Sequence, residues 1–254
     1  MTAKILSVVN QKGGVGKSTT CVNLAAALTE KKKRVLAVDL DPQGNTTSGL
    51  GVDKRTEPSV YPVLLGETSA TEAVVKTPYC HVLPSNKALS GAEIELVSME
   101  HREFLLQKAL EPLREQYDFI LIDCPPSLSL LTVNALCASD GVLVPVQCEY
   151  YALEGLSDLM YSLRAVKKNL NPRLEVEGVL LTLFDARTSL SLQVAEEVKK
   201  YFPGQVFGAV IPRNVRLSEA PSHGMPALAY DSRCKGADAY RAMAKELLRR
   251  QKQK

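Results

Sequence analysis

The sequence predicts an α/β fold, a doubly wound and mainly parallel sheet flanked by helices, on three observations. Short runs rich in Val, Ile and Leu recur along the 254 residues with little polar alternation, as strands buried on both faces require. Amphipathic stretches of helical period separate them. The first run leads straight into a glycine-rich turn, Lys12 to Thr19, reading KGGVGKST.

In chain order the strand-like runs are 4–10, 34–39, 119–123, 142–147, 177–183 and 206–211. Among the helices, Leu153, Leu156, Leu159, Met160, Leu163, Val166 and Leu170 mark one apolar face. Leu190, Val194, Val198 and Tyr201 mark a second, and Tyr240, Met243, Ala244, Leu247 and Leu248 a third. The alternation runs on without a linker-like segment, so the expectation is a single domain over 1–254. In such folds ligands bind at the carboxyl ends of the strands, and the motifs lie there.

The turn at Lys12–Thr19 follows a strand and opens a helix, the setting in which such a loop binds phosphate. Its glycines let backbone N–H groups of Gly13, Gly14, Val15 and Gly16 approach an anion. Lys17 reaches the outer phosphates, and Ser18 offers a hydroxyl to Mg²⁺. The common pattern asks for glycine at position 11, where this chain has Gln11, and adds a second lysine, Lys12. This is the deviant Walker A form of a P-loop nucleotide triphosphatase. The next strand ends VDLDPQGN, with Asp39 and Asp41 on one side of an extended segment. FILIDCPP ends in Asp123, a carboxylate able to hold Mg²⁺ beside a triphosphate. Any one of these aspartates could equally cap the following helix. Three such motifs at successive strand ends point to a nucleotide site.

The composition narrows the classes. With 31 Lys and Arg against 28 Asp and Glu the formal charge is +3, which excludes a highly charged nucleic-acid coat but not a local basic patch. The six cysteines show no C-x-x-C pair and several sit in apolar runs, as buried free thiols of a reducing cytosol do. The first strand begins near Lys4, leaving no room for a signal peptide, and no apolar stretch nears the ~20 residues of a membrane span. His81, His101 and His223 have no metal-ligand spacing. The run Lys31–Arg34 reads as cations complementing the end of the helix after the P-loop.

NQKGGVGKST, VDLDPQGN and FILIDCPPS together resemble the ParA/MinD group of ATPases. The segments 145–156, 180–188 and 211–224 extend the resemblance, within that group, to ParA/Soj-type chromosome or plasmid partitioning ATPases over nearly the whole chain. The resemblance implies ATP and Mg²⁺ as cofactors and an ATP-dependent homodimer with two nucleotides at its interface. By it, Lys12 reaches the partner's nucleotide, Lys17 and Thr19 hold phosphates in cis, Ser18 and Asp123 serve Mg²⁺, and Asp41 orients the attacking water. Pro212 and Asn214 frame the adenine, and Asp39 takes a supporting role. Hydrolysis is expected to be slow and stimulated by a ParB-type (Spo0J-type) centromere-binding protein. Arg187 and Arg216 match positions that bind double-stranded DNA non-specifically, with Lys199 and Lys200 as weaker candidates. No helix-turn-helix precedes the P-loop. A cytoplasmic, nucleoid-associated protein without a membrane anchor follows, since the basic C-terminal end lacks the bulky apolar residues of the MinD-type membrane helix. The cysteines of an iron–sulfur relative are absent too: Leu130 stands at the reductase position.

Overall fold

The computed structural model describes residues 2–149 and 152–252. Tyr150 and Tyr151, within the segment 145–156, and Gln253 and Lys254 of the basic end lie outside the described residues. Seven strands form one sheet among these residues: β1 (Lys4–Val8), β2 (Val35–Asp39), β3 (Val75–Lys76), β4 (His81–Leu83), β5 (Phe119–Asp123), β6 (Gly141–Gln147) and β7 (Glu175–Thr182). Their order is β3-β4-β2-β5-β1-β6-β7. Every neighbouring pair is parallel except β3 with β4.

The strands are apolar on both faces because both faces are covered. Ile5 and Val9, with Ile120 and Ile122 of β5, belong to one core. Leu6 and Val8, with Phe119 and Leu121, belong to the other. The first core packs beneath α3 (Val60–Leu65), α5 (Leu89–Leu96), α6 (Leu105–Leu110), α7 (Leu130–Ala138), α8 (Ala152–Asn169) and α9 (Ser189–Tyr201). The second packs beneath α1 (Lys17–Glu30), α11 (Ala227–Tyr230) and α12 (Lys235–Gln251). Shorter helices α2 (Asn45–Gly49), α4 (Ala70–Ala73) and α10 (Val215–Glu219) complete the connections. All six cysteines are buried free thiols. No helix among the described residues is long and apolar enough to cross a membrane.

Helix α1 is buried nearly all round, with Cys21, Leu24, Ala25, Ala27 and Leu28 fully covered. It ends where the Lys31 N–H returns to the Leu28 carbonyl and Lys32 turns to φ 59°. The basic run therefore lies just past the last helical turn. On α9 the buried face is Ser191, Val194, Ala195 and Val198. Leu190 and Tyr201, expected on that face, are 42% and 51% exposed. Ser191 is turned inward, its hydroxyl donating to the Cys148 carbonyl at 3.5 Å.

The expected sixth strand, 206–211, is not formed. The segment touches β7 at one isolated bridge, Val179 with Val206, and through the Ile211 N–H, which donates to the Leu181 carbonyl at 2.9 Å; a second bridge, Phe184 with Pro212, lies just beyond both. Between them the N–H groups of Gly208 and Ala209 donate to the Glu246 carboxylate on α12, both at 3.1 Å, instead of to a ladder. The edge strand β3 and its neighbour β4, two and three residues long, did not announce themselves in the sequence.

Candidate functional site

The order of strands reverses at β1, which lies between β5 and β6, and β1 delivers the P-loop into that crevice. Asn10 fixes the loop's entry. Its side-chain N–H₂ donates to the Pro145 carbonyl at 2.8 Å, and its Oδ1 accepts the Lys12 N–H at 3.0 Å. Gly14 and Gly16 turn with φ 76° and 90°, conformations costly for other residues. A Cβ on Gly13 or Gly14 would meet nothing within 4 Å, so these glycines leave space for a ligand rather than for protein. Val15 is buried, and its carbonyl accepts the Thr182 hydroxyl at 2.8 Å. Gly16 begins α1, and no side chain caps that end. A helix start so arranged suits an anion.

Lys17 is buried and donates to the Lys12 carbonyl at 2.9 Å. Burial lowers its pKa, opposed by Asp123, Cys124 and Asp41 nearby. Lys12 is exposed and forms an ion pair with Glu149. Asp39 and Asp41 part company because β2 stops at Asp39. Asp39 is fully buried and accepts from the Thr47 N–H and hydroxyl, both 2.7 Å, and from the Asp41 N–H. Asp41 instead lines the cavity, its Oδ1 accepting the Gln43 N–H at 2.9 Å. Burial raises the Asp39 pKa to about 6 and the Asp123 pKa to about 8; the Asp41 charge pushes both up and the Asp39 charge adds to the rise of Asp123, while the hydroxyls of Thr47 at Asp39 and of Ser18 and Thr46 at Asp123 oppose it.

Asp123, at the end of β5, is fully buried. Its Oδ2 accepts the Thr46 hydroxyl at 2.7 Å, while Oδ1 has no hydrogen-bond partner. Among the described residues no three His, Cys, Asp or Glu side chains converge as a metal site. One free carboxylate oxygen beside Ser18 suits Mg²⁺, which keeps its waters and is held chiefly by substrate phosphates. The residues present therefore fit that ion.

The P-loop opens on a cavity of about 510 Å³. Gly13, Gly14, Gly16, Lys17, Ser18 and Thr19 line one end, with Asp41, Gln43 and Asn45 alongside. Ile211, Pro212, Asn214, Leu217, Pro221 and Tyr240 are among the other residues of its wall. Pro212 and Asn214 thus join the P-loop across nearly the whole chain. Asn214 also caps α10, accepting the Arg216 N–H at 3.0 Å.

Arg187 lies in the turn after β7 and Arg216 in the first turn of α10; the segments leading to them are joined by backbone bonds, Phe184 N–H to Ile211 O and Arg213 N–H to Phe184 O, both 3.1 Å. Arg187 is highly exposed and grips Asp185 through two bonds of 2.9 and 2.7 Å, holding that carboxyl well below the usual range. Arg216 pairs with Glu219 at 2.8 Å and Asp231 at 3.3 Å. On α9, Lys200 pairs with Glu197. Sequence reading missed Asn10, Thr46, Thr47, Thr182 and Tyr240. Only Thr46 and Thr47 had a signal, two hydroxyls directly after VDLDPQGN.

A family model described as an AAA domain matches residues 3–176. The chain is 57% identical to the sporulation initiation inhibitor protein Soj of Bacillus subtilis, covering 96% of this chain and 98% of Soj. It is 52% identical to the chromosome partitioning protein ParA of Myxococcus xanthus, over 97% of this chain and 88% of that one. Among solved structures it resembles a Mycobacterium smegmatis protein described as cobyrinic acid a,c-diamide synthase with bound ADP and magnesium. That structure is 41% identical, with TM-score 0.87 over 98% of this chain and 96% of its own. With a P-loop, two carboxylate-bearing strand ends and these relatives, the chain belongs to the ParA/Soj chromosome-partitioning ATPases of the AAA-domain family.

Proposed function

We propose that the protein is an ATP-driven partition switch, cytoplasmic and nucleoid-associated, acting as one domain that dimerises on Mg·ATP, binds DNA without sequence preference and is released when a ParB-type partner stimulates hydrolysis. The observation that carries this reading is the single cavity shared by Lys17, Asp41, Pro212 and Asn214. Backbone N–H groups from Gly13 to Thr19 and the Lys17 ammonium bind the phosphates. Ser18 and Asp123 hold Mg²⁺, which when bound neutralises charge on the β- and γ-phosphates. Asp41 orients the attacking water, while Pro212 and Asn214 flank the base. Lys12, exposed and paired with Glu149 in the single chain, turns in the dimer to the partner's phosphates, where it acts like an arginine finger. Since that cation belongs to a second chain, turnover by the monomer is slow.

Arg187 and Arg216 supply phosphate contacts on DNA. The test is binding to arbitrary-sequence duplex with ATP against ADP, across a salt series. ATP-dependent binding should fall with salt by a slope near 0.9 per phosphate contact. Arg187→Ala and Arg216→Ala should still dimerise but bind DNA weakly, and Asp41→Ala should persist as an ATP dimer on DNA. Equal binding with ATP and ADP, or normal hydrolysis by Asp41→Ala, would overturn the assignment.

A further inference from the structure

Two adjacent threonines at the start of α2 divide their hydroxyls between the two buried carboxylates. Thr47 serves Asp39: its hydroxyl donates to Oδ2 at 2.7 Å and accepts the Ser85 N–H at 2.9 Å. Thr46 serves Asp123 alone, donating to Oδ2 at 2.7 Å. Both threonines are fully buried, so neither bond competes with water. A carboxylate can accept on both oxygens, yet Asp123 has one oxygen occupied and the other, Oδ1, buried and without a partner. A buried polar atom left bare costs about 1–3 kcal/mol unless something else satisfies it.

We propose that Thr46 is the positioning residue for Asp123. Its hydroxyl fixes the rotation of the carboxylate and engages Oδ2, which reserves Oδ1 for the cation that accompanies the nucleotide. The inference rests on the reading of Asp123 as the Mg²⁺ residue. A second consequence comes from the chain path. Thr46 follows Asp41 on one short segment, and the Asp41 carbonyl is itself held by the Ser85 hydroxyl at 2.8 Å. The Thr46–Asp123 bond therefore ties the water-orienting carboxylate to the metal-holding one.

The test titrates Mg²⁺ into the full chain with a fluorescent ADP analogue, reading nucleotide affinity with and without the metal. In Thr46→Val, which keeps the shape and removes the donor, the apparent Mg²⁺ affinity should fall by about 10-fold or more, as loss of a bond to a metal ligand does elsewhere. Metal-free nucleotide affinity should stay within about twofold, and Thr46→Ser should restore the Mg²⁺ response. Thr47→Val, melting cooperatively at a lower temperature, should retain the Mg²⁺ response. A Thr46→Val protein with the parent's Mg²⁺ titration overturns the proposal. So does equal loss of nucleotide with and without Mg²⁺ in both valine variants, since that is the behaviour of a purely structural bond. If Asp123→Asn titrates Mg²⁺ like the parent, the reading of Asp123 itself fails and the proposal falls with it.

Discussion

Lys17 is a buried cation bonded to a backbone carbonyl only five residues upstream, so the ammonium is already placed over the loop that it serves. Charge-assisted bonds of this kind are worth about 1.5–3 kcal/mol each. Lys17→Ala should weaken ATP binding by roughly 10- to 100-fold in an equilibrium titration, the same energy expressed as affinity. Its place on the loop that lines the cavity was legible from the motif alone. The supporting residues were not: Asn10 and Thr182 act through neighbours brought close by the sheet, and a lone Asn or Thr at a strand end has many other uses. Gly178 is a second residue whose necessity only the structure reveals. A Cβ there would lie 2.4 Å from the edge of the buried Phe207 ring. Gly178→Ala should therefore cost about 1–3 kcal/mol in urea unfolding through overpacking.

The clearest mismatch between pattern and structure lies in an element, the segment 206–211. Its apolar residues read as a strand because Phe207 and Ile211 are indeed buried. What the pattern could not show is that Glu246, far along the chain, takes the N–H groups of Gly208 and Ala209. Arg250 completes the clip, bonding Glu246 at 2.7 Å and the Val206 carbonyl at 2.8 Å while lying over the Phe207 ring. Burial would raise the Glu246 pKa, but the Gly208 N–H, Arg250 and the Ala209 N–H outweigh it and bring it down. A carboxylate with a lowered folded-state pKa adds stability above its ordinary value, near 4.3, and loses it as pH falls through the lowered one. The melting-temperature gap between the parent and Glu246→Gln should thus be full at pH 7 and close as pH drops below about 4. A gap independent of pH would assign the clip to shape alone. Strands β1, β2, β5, β6 and β7 were legible within a few residues, since each is covered on both faces. The pair β3–β4 escaped because two or three residues carry no period.

At the scale of the whole molecule, the site is assembled from distant parts of the chain, and ligand binding should accordingly stabilise all of it. A nucleotide at a hundredfold excess over its Kd adds about 2.7 kcal/mol. For a chain of this size that is a rise of about 5–10 °C in melting temperature with Mg·ATP, and Lys17→Ala should show little of it. The partitioning family was readable from motifs spread along the sequence, because each motif is a local device at a strand end. On the far wall of the cavity Pro212 and Asn214 were expected only through resemblance and Tyr240 not at all, since all three meet the P-loop by folding. One of those meetings constrains the birth of the protein. The Thr20 hydroxyl on α1 bonds the buried Tyr240 hydroxyl at 3.1 Å, across 220 positions of sequence. Helix α12 also covers the apolar flank of α1. A nascent chain that has emerged only as far as β7 has its P-loop sequence but neither that flank covered nor the nucleotide wall closed. The nucleotide cavity is thus complete only once α12 has been made and has docked on α1.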